Sequence, residues 1–130
     1  MGKLTISEPQ SGRCKVHINH GGEPSWCSFD YLMTPDAALS ELIVDIGLDS
    51  DPETQRWFES VKRGIDNGVR NLREYYDHEL TGIRLIIPKI YSHPIATSDA
   101  ACERYAASFI EGFGKSLARE IDTFDNQPNS

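Results

Sequence analysis

Several groups of residues in this 130-residue chain have the right types for chemistry. Cys14, His17 and His20 recur at three-residue intervals and are all side chains that bind zinc. His93, Ser98 and Asp99 supply the residue types of a nucleophilic triad, and Cys102 offers a thiol. Lys15, His17, Trp26 and Arg84 combine cations with an aromatic, the make-up of a sheet face that takes single-stranded nucleic acid. The surroundings argue against most of these. Side chains three apart on a strand point to opposite faces, so His17 turns away from Cys14 and His20, whereas zinc needs convergent ligands. Ser98 stands directly before a helical pattern, where its hydroxyl takes a free backbone N–H and Asp99 favours the positive helix end. Cys102 falls on an apolar stripe, where a thiol is buried and inert. No GxGxxG and no Walker-type glycine loop occurs, so no nucleotide site is expected. The best helix starts carry Asp51, Glu53 and Asp99, whose charge opposes a bound anion. The expectation is a chain without catalytic residues, metal or cofactor.

The elements that would hold these residues follow from periodicity. Gly82 to Ile90 reads as a strand and Tyr91 to Ala96 as a polar loop, with Thr97-Ser98-Asp99 opening a long helix. That helix carries Ala101, Cys102, Tyr105, Ala106, Phe109, Phe113, Leu117 and Ile121 at three- and four-residue spacing, one buried face. An earlier helix starts at Ser50-Asp51-Pro52-Glu53, in capping-box spacing with proline in the first turn. Trp57, Val61, Ile65, Val69 and Leu72 form its stripe, and Gly64 and Gly68 would let it approach a sheet closely. Upstream, Lys3 to Ser7 and Cys14 to Asn19 read as a hairpin with Gln10, Ser11, Gly12 and Arg13 at its tip. Gly21-Gly22-Glu23-Pro24 marks a turn, and Cys27, Phe29 and Tyr31 alternate along a half-buried strand. Leu39, Leu42, Ile43 and Ile46 match a short helical stripe stopped by Gly47. The order β-turn-β-β-(short α)-α-β-α implies an α+β, two-layer sandwich with helices on one sheet face. It would be one domain over residues 1–124 with a polar tail at 125–130.

Composition narrows the function classes. Twenty acidic against thirteen basic side chains give a net charge of −7, which suits non-specific nucleic-acid binding poorly and confines any RNA contact to a local patch. No apolar run reaches signal-peptide or membrane-span length, so no membrane association is expected. Three cysteines cannot all pair and none is in CxxC spacing, which implies a reduced, cytoplasmic protein.

One family resemblance covers nearly the whole chain in element order. It is carried by Phe58-x-x-Val61-Lys62-Arg63-Gly64-Ile65, by the strand Gly82 to Ile90, and by Tyr91-Ser92-His93-Pro94-Ile95-Ala96-Thr97-Ser98-Asp99-Ala100-Ala101. These resemble the fourth domain of elongation factor G and of the tetracycline-resistance ribosomal protection proteins. Upstream, Ser11-Gly12-Arg13 and the following strand look like the family's glycine-rich hairpin tip. The resemblance implies a fold like domain 2 of ribosomal protein S5, with a left-handed βαβ crossover that departs from the usual hand. It also implies a tRNA-anticodon-arm mimic whose two tip loops enter the decoding centre. Those loops fall on Gln10, Ser11, Gly12 and Arg13, and on Tyr91, Ser92, His93 and Pro94 through Thr97. The implied partner is the ribosome or its RNA. The alternative is a protein-interaction or homodimerisation domain, motivated by the acidic surface and the segment Leu39 to Ile46. The chain departs from the family in lacking a GTPase domain, in Ala96 where an acidic residue is usual, in a longer Met33 to Asp49 connection, and in Arg13 as the tip's one sure cation. It is either a fragment of a larger factor or a free-standing relative, and Met1 and the polar tail favour the second.

Overall fold

The computed structural model describes residues 2–16 and 25–125. Its central strand is β6 (Ile83–Tyr91), in which Ile83, Leu85, Ile87 and Ile90 are fully buried while Arg84, Ile86 and Lys89 are partly exposed. Alternation of this kind gives the strand one core face. It lies between β3 (Ser28–Pro35), antiparallel, and β4 (Leu42–Ile46), parallel; β2 (Gln10–Arg13) adds to β3 to complete the order β2-β3-β6-β4. Pro88 cannot donate to a ladder, so a place in a central strand needs explanation. The register supplies it: Asp30 pairs with Lys89 but Leu32 with Ile86, leaving Ile87 and Pro88 opposite Tyr31 alone, a β-bulge. Beside the bulge β4 stops. Gly47 N–H donates to Ile87 at 2.9 Å, and a Cβ on Gly47 would come within 2.7 Å of the Pro88 Cα.

Two helices, α1 (Pro52–Tyr76) and α2 (Asp99–Asp125), cover the buried side of this sheet. Phe109 of α2 packs edge-on against Phe29 (centroids 5.2 Å apart) and also meets Tyr31, while α1 lies over β6 and β4. Val61, Ile65, Leu72, Ile110 and the β6 residues form one hydrophobic cluster, against which Phe109 and Phe113 pack. The opposite sheet face, with Asp30, Leu32, Thr34, Ile43, Asp45 and Ile86, is only half-buried. This is an α+β, two-layer sandwich. A second, two-stranded parallel sheet joins β1 (Gly2–Leu4) to β5 (His78–Leu80), and neither sheet closes into a barrel.

The structure corrects four details. Lys3 to Ser7 is not one arm of a hairpin: its start lies in β1, paired parallel to β5, and Gln10 to Arg13 is a strand rather than a tip. The β2 side chains are all exposed, so no alternation marked them; the chain bends at Ser7-Glu8 between β1 and β2. Cys14 to Val16 are outside any strand, and the rest of the expected partner, His17 to Asn19, lies outside the described residues, as does the turn Gly21 to Pro24. The segment Leu42 to Ile46 is a strand, not a helix, with Leu42 and Val44 inward and Ile43 and Asp45 outward. Over so few residues the helical and strand periods overlap, and the β-branched Ile43-Val44 tips the balance. Gly64 and Gly68 approach α2, not the sheet: a Cβ on Gly64 would lie 2.8 Å from the Ala106 Cβ, and one on Gly68 2.8 Å from the Ala107 carbonyl oxygen. The α1 cap is Asp51 rather than Ser50, accepting from Thr54 N–H at 2.8 Å, with Pro52 in the first turn and Asp77 closing the helix in the left-handed region. Glu53 therefore does not fold back onto the cap.

Candidate functional site

Glu53 turns instead to the loop after β6. Its Oε2 accepts from Ser92 Oγ (2.6 Å) and Ser92 N–H (3.2 Å), and its Oε1 accepts from Lys89 Nζ (2.9 Å), which also pairs with Asp51. The Ser92 hydroxyl, then Lys89, holds the Glu53 carboxyl below the usual range. The Lys89 hydrogen bond, helped by the Thr54 amide, takes Asp51 down to about 2, and these two carboxylates raise Lys89. The first turn of α1 is thus stapled to the end of β6.

Next to Lys89, Tyr91 links the two sequence-distant segments. Arg13 donates through Nη2 to Tyr91 Oη and through Nε to Asp30 Oδ1, each at 2.8 Å, and its guanidinium stacks 4.3 Å from the Tyr91 ring centroid. Tyr91 Oη donates to the other Asp30 oxygen at 2.8 Å. The Asp30 contact raises both Arg13 and Tyr91. Stacking and a planar fork make this triangle specific to arginine.

The loop itself is organised by His93 and Thr97. His93 Nδ1 accepts from the amides of Ile95 (3.2 Å) and Ala96 (3.1 Å), which requires Nδ1 without a proton. Thr97 Oγ1 accepts from His93 N–H and donates to the Trp26 carbonyl, both at 2.7 Å, and Trp26 N–H donates to Ala96 O at 3.1 Å. The loop lies along Trp26, leaving Trp26 40% and Ile95 79% exposed.

Of the residues expected at a binding tip, Arg13 meets Tyr91 directly, and Ser92, His93 and Pro94 follow at the same end. Gln10 does not join them. It pairs with Met33, three residues back along β2 from Arg13, or about 10 Å. Ser11 and Gly12 lie between, with the Tyr31 ring so close over Gly12 that a Cβ would sit 3.0 Å from its hydroxyl oxygen. The expected outward set of Lys15, Trp26 and Arg84 is not one patch: Arg84 is at the other end of β6, ion-paired to Asp45 (2.7 Å) and Asp36 (3.5 Å). Trp26 stands beside the 92–97 loop, and Lys15 is exposed with no partner among the described residues. His17 and His20 lie outside those residues. His93, Ser98 and Asp99 do not form a relay: Ser98 caps α2 by accepting from Ala101 N–H at 3.0 Å, and Asp99 accepts from Ser60 Oγ at 2.5 Å. Ser60, then Arg56, holds Asp99 low. Among the described residues no group of three or more His, Cys, Asp or Glu is placed to hold a metal. Lys89 and Asp30 build the site with no mark in the sequence, because each acts through a partner on another element; Glu53 was legible only as part of a helix start, and Thr97 only as the end of the tip loop.

No family model matches the chain, and no curated protein matches it. Among solved structures, it is similar to the crystal structure of ttk003000868 from Thermus thermophilus, with a TM-score of 0.63 at 16% identity. The match covers 88% of this chain and 17% of that one, so the chain has the fold of one part of a much longer protein.

Proposed function

We propose that this chain is a non-catalytic binding domain of the translation-factor type, which contacts the ribosome or its RNA with the end that carries Arg13, Tyr91, Ser92, His93 and Pro94. The supporting observation is their juxtaposition through the Arg13–Tyr91 contact. Electrostatics shapes the mode of contact. Arg13 is already neutralised by Asp30, and Lys89 by Asp51 and Glu53, so few cations are left for phosphates. Loop shape, backbone groups and the exposed Trp26 and Ile95 carry the contact, and its salt dependence is that of one or two phosphates. Co-sedimentation with ribosomes at about 50 mM salt, where phosphate contacts are strong, tests this. The intact chain pellets with ribosomes and the Arg13→Ala, His93→Ala double variant does so less; an intact chain that stays in the supernatant removes the reading.

A second reading rests on β4. Its outer edge has no strand partner among the described residues, and its sequence Leu-Ile-Val-Asp-Ile is apolar, so a protein partner or a second copy can extend the sheet there. Leu42 belongs to the core at 8% exposure, so Leu42→Asp would unfold the chain rather than test this surface. The outward Ile43→Lys is the cleaner probe. Light scattering should give a salt-insensitive dimer that Ile43→Lys abolishes; a strict monomer that binds no protein through this edge removes the reading.

A further inference from the structure

The three cysteines, far apart in sequence, come together in the fold. Cys14, Cys27 and Cys102 are free thiols, 5%, 2% and 0% exposed. Cys14 N–H donates to the Phe29 carbonyl at 2.8 Å, which continues the β2–β3 ladder by one residue and places Cys14 diagonally across from Cys27. Cys102 reaches the same place from α2. Hydrogen bonds bracket the crossing: Trp26 joins Ala96 and Thr97 on one side of Cys102, and Tyr105 Oη donates to Ser25 O at 2.8 Å on the other. The segment 25–27 therefore runs across the first turns of α2, and Cys27 and Cys102 belong to the same buried cluster. A groove of about 300 Å³ leads to this point, lined by Cys14, Cys27, Lys15, Trp26, Ser28 and Tyr105, with Lys15 and Trp26 exposed at its rim. Cys27 lines the groove, and Cys102 is behind it.

We propose that Cys27 and Cys102 form a covalent modification site, at which a small-molecule disulfide entering the groove converts the two thiols into an internal disulfide. Cys27, having lost its proton to solvent, attacks one sulfur of the reagent. The reagent's S–S bond breaks, and one half leaves as a thiolate and is protonated. Cys102 then loses its proton and attacks the Cys27 sulfur of the mixed disulfide, expelling the second half as a thiol. Two protein thiols are oxidised to one disulfide and the reagent is reduced to two thiols. Contact with Cys102 and burial hold the Cys27 thiol well above the usual range, so the reaction is slow at neutral pH and quickens as pH rises. The cross-link ties the start of β3 to the first turns of α2, beneath the loop that Trp26 holds. It does not depend on what that loop binds.

Oxidised glutathione at mildly alkaline pH, applied to the full chain, tests this. Free thiols counted after denaturation should fall from three to one. A non-reduced digest should yield one linked peptide pair, joining Cys27 to Cys102, which dithiothreitol releases. The melting midpoint should rise by several degrees, because a long loop is closed in the unfolded chain. Cys14→Ser should leave the cross-link intact, and Cys102→Ser should stop at glutathione held on Cys27. Should the serine variants fail to fold, the wild-type digest alone decides. Three thiols surviving prolonged exposure, a link made through Cys14, or a glutathione adduct persisting in the wild type would each overturn the assignment.

Discussion

Lys89 sits between two carboxylates on another element, and the pH dependence of that contact can be worked out. Asp51 and Glu53 titrate below their ordinary values in the folded chain, so their contribution to stability is present above about pH 4 and is lost as pH falls, for Asp51 through about 2. Lys89 is raised, so its contribution is whole below its ordinary value of 10.5 and is lost only above it. Melting midpoints of wild type and Lys89→Met, measured from neutral to acid pH, should show a shallower acid decline in the variant. The difference should shrink with added salt, because these side chains are a third or more exposed. His93 gives a second residue-scale prediction. His93→Ala removes the acceptor for two loop amides, so hydrogen exchange at Ile95 and Ala96 should speed up while the midpoint moves little, because both bonds are exposed and water replaces the lost acceptor.

Helix α1 meets α2 through glycine, and this contact is open to test at the scale of elements. In an exposed helix position Gly→Ala stabilises by about 1 kcal/mol. Gly112 has nothing within 4 Å of a Cβ, so Gly112→Ala should raise the melting midpoint. At Gly64 and Gly68 the added Cβ meets the Ala106 side chain and the Ala107 backbone, and overpacking of about 1–3 kcal/mol outweighs the propensity gain. Both variants should melt lower than wild type. The sequence marked these glycines as sites of close approach but misassigned the partner, since the stripe of one helix does not say which surface lies opposite.

The molecule presents one end built from Arg13, Tyr91 and the 92–97 loop and, separately, an edge of β4 that has no strand partner among the described residues. On the two readings proposed above, binding at the two would be separable. Arg13→Ala with His93→Ala should weaken ribosome co-sedimentation and leave the oligomeric state unchanged; Ile43→Lys should do the reverse. No helix among the described residues is long and apolar enough to cross a membrane. With a net charge of −7 and its tip cations paired internally, the chain should bind long non-specific RNA weakly at physiological salt, which a filter-binding titration would check.

Local order was legible in the residues. The β6 strand, the Ser98 cap and most of the stripes of both long helices follow from alternation, a capping hydroxyl and three- to four-residue spacing, all interactions within a few residues of chain. The partners were not legible. That β1 joins β5, that Leu42 to Ile46 joins β6, that Lys89 answers Asp51 and Glu53, and that Cys27 meets Cys102 are decisions of packing between distant segments. Periodicity reports which face of an element is apolar. Only burying all those faces together selects what each one touches.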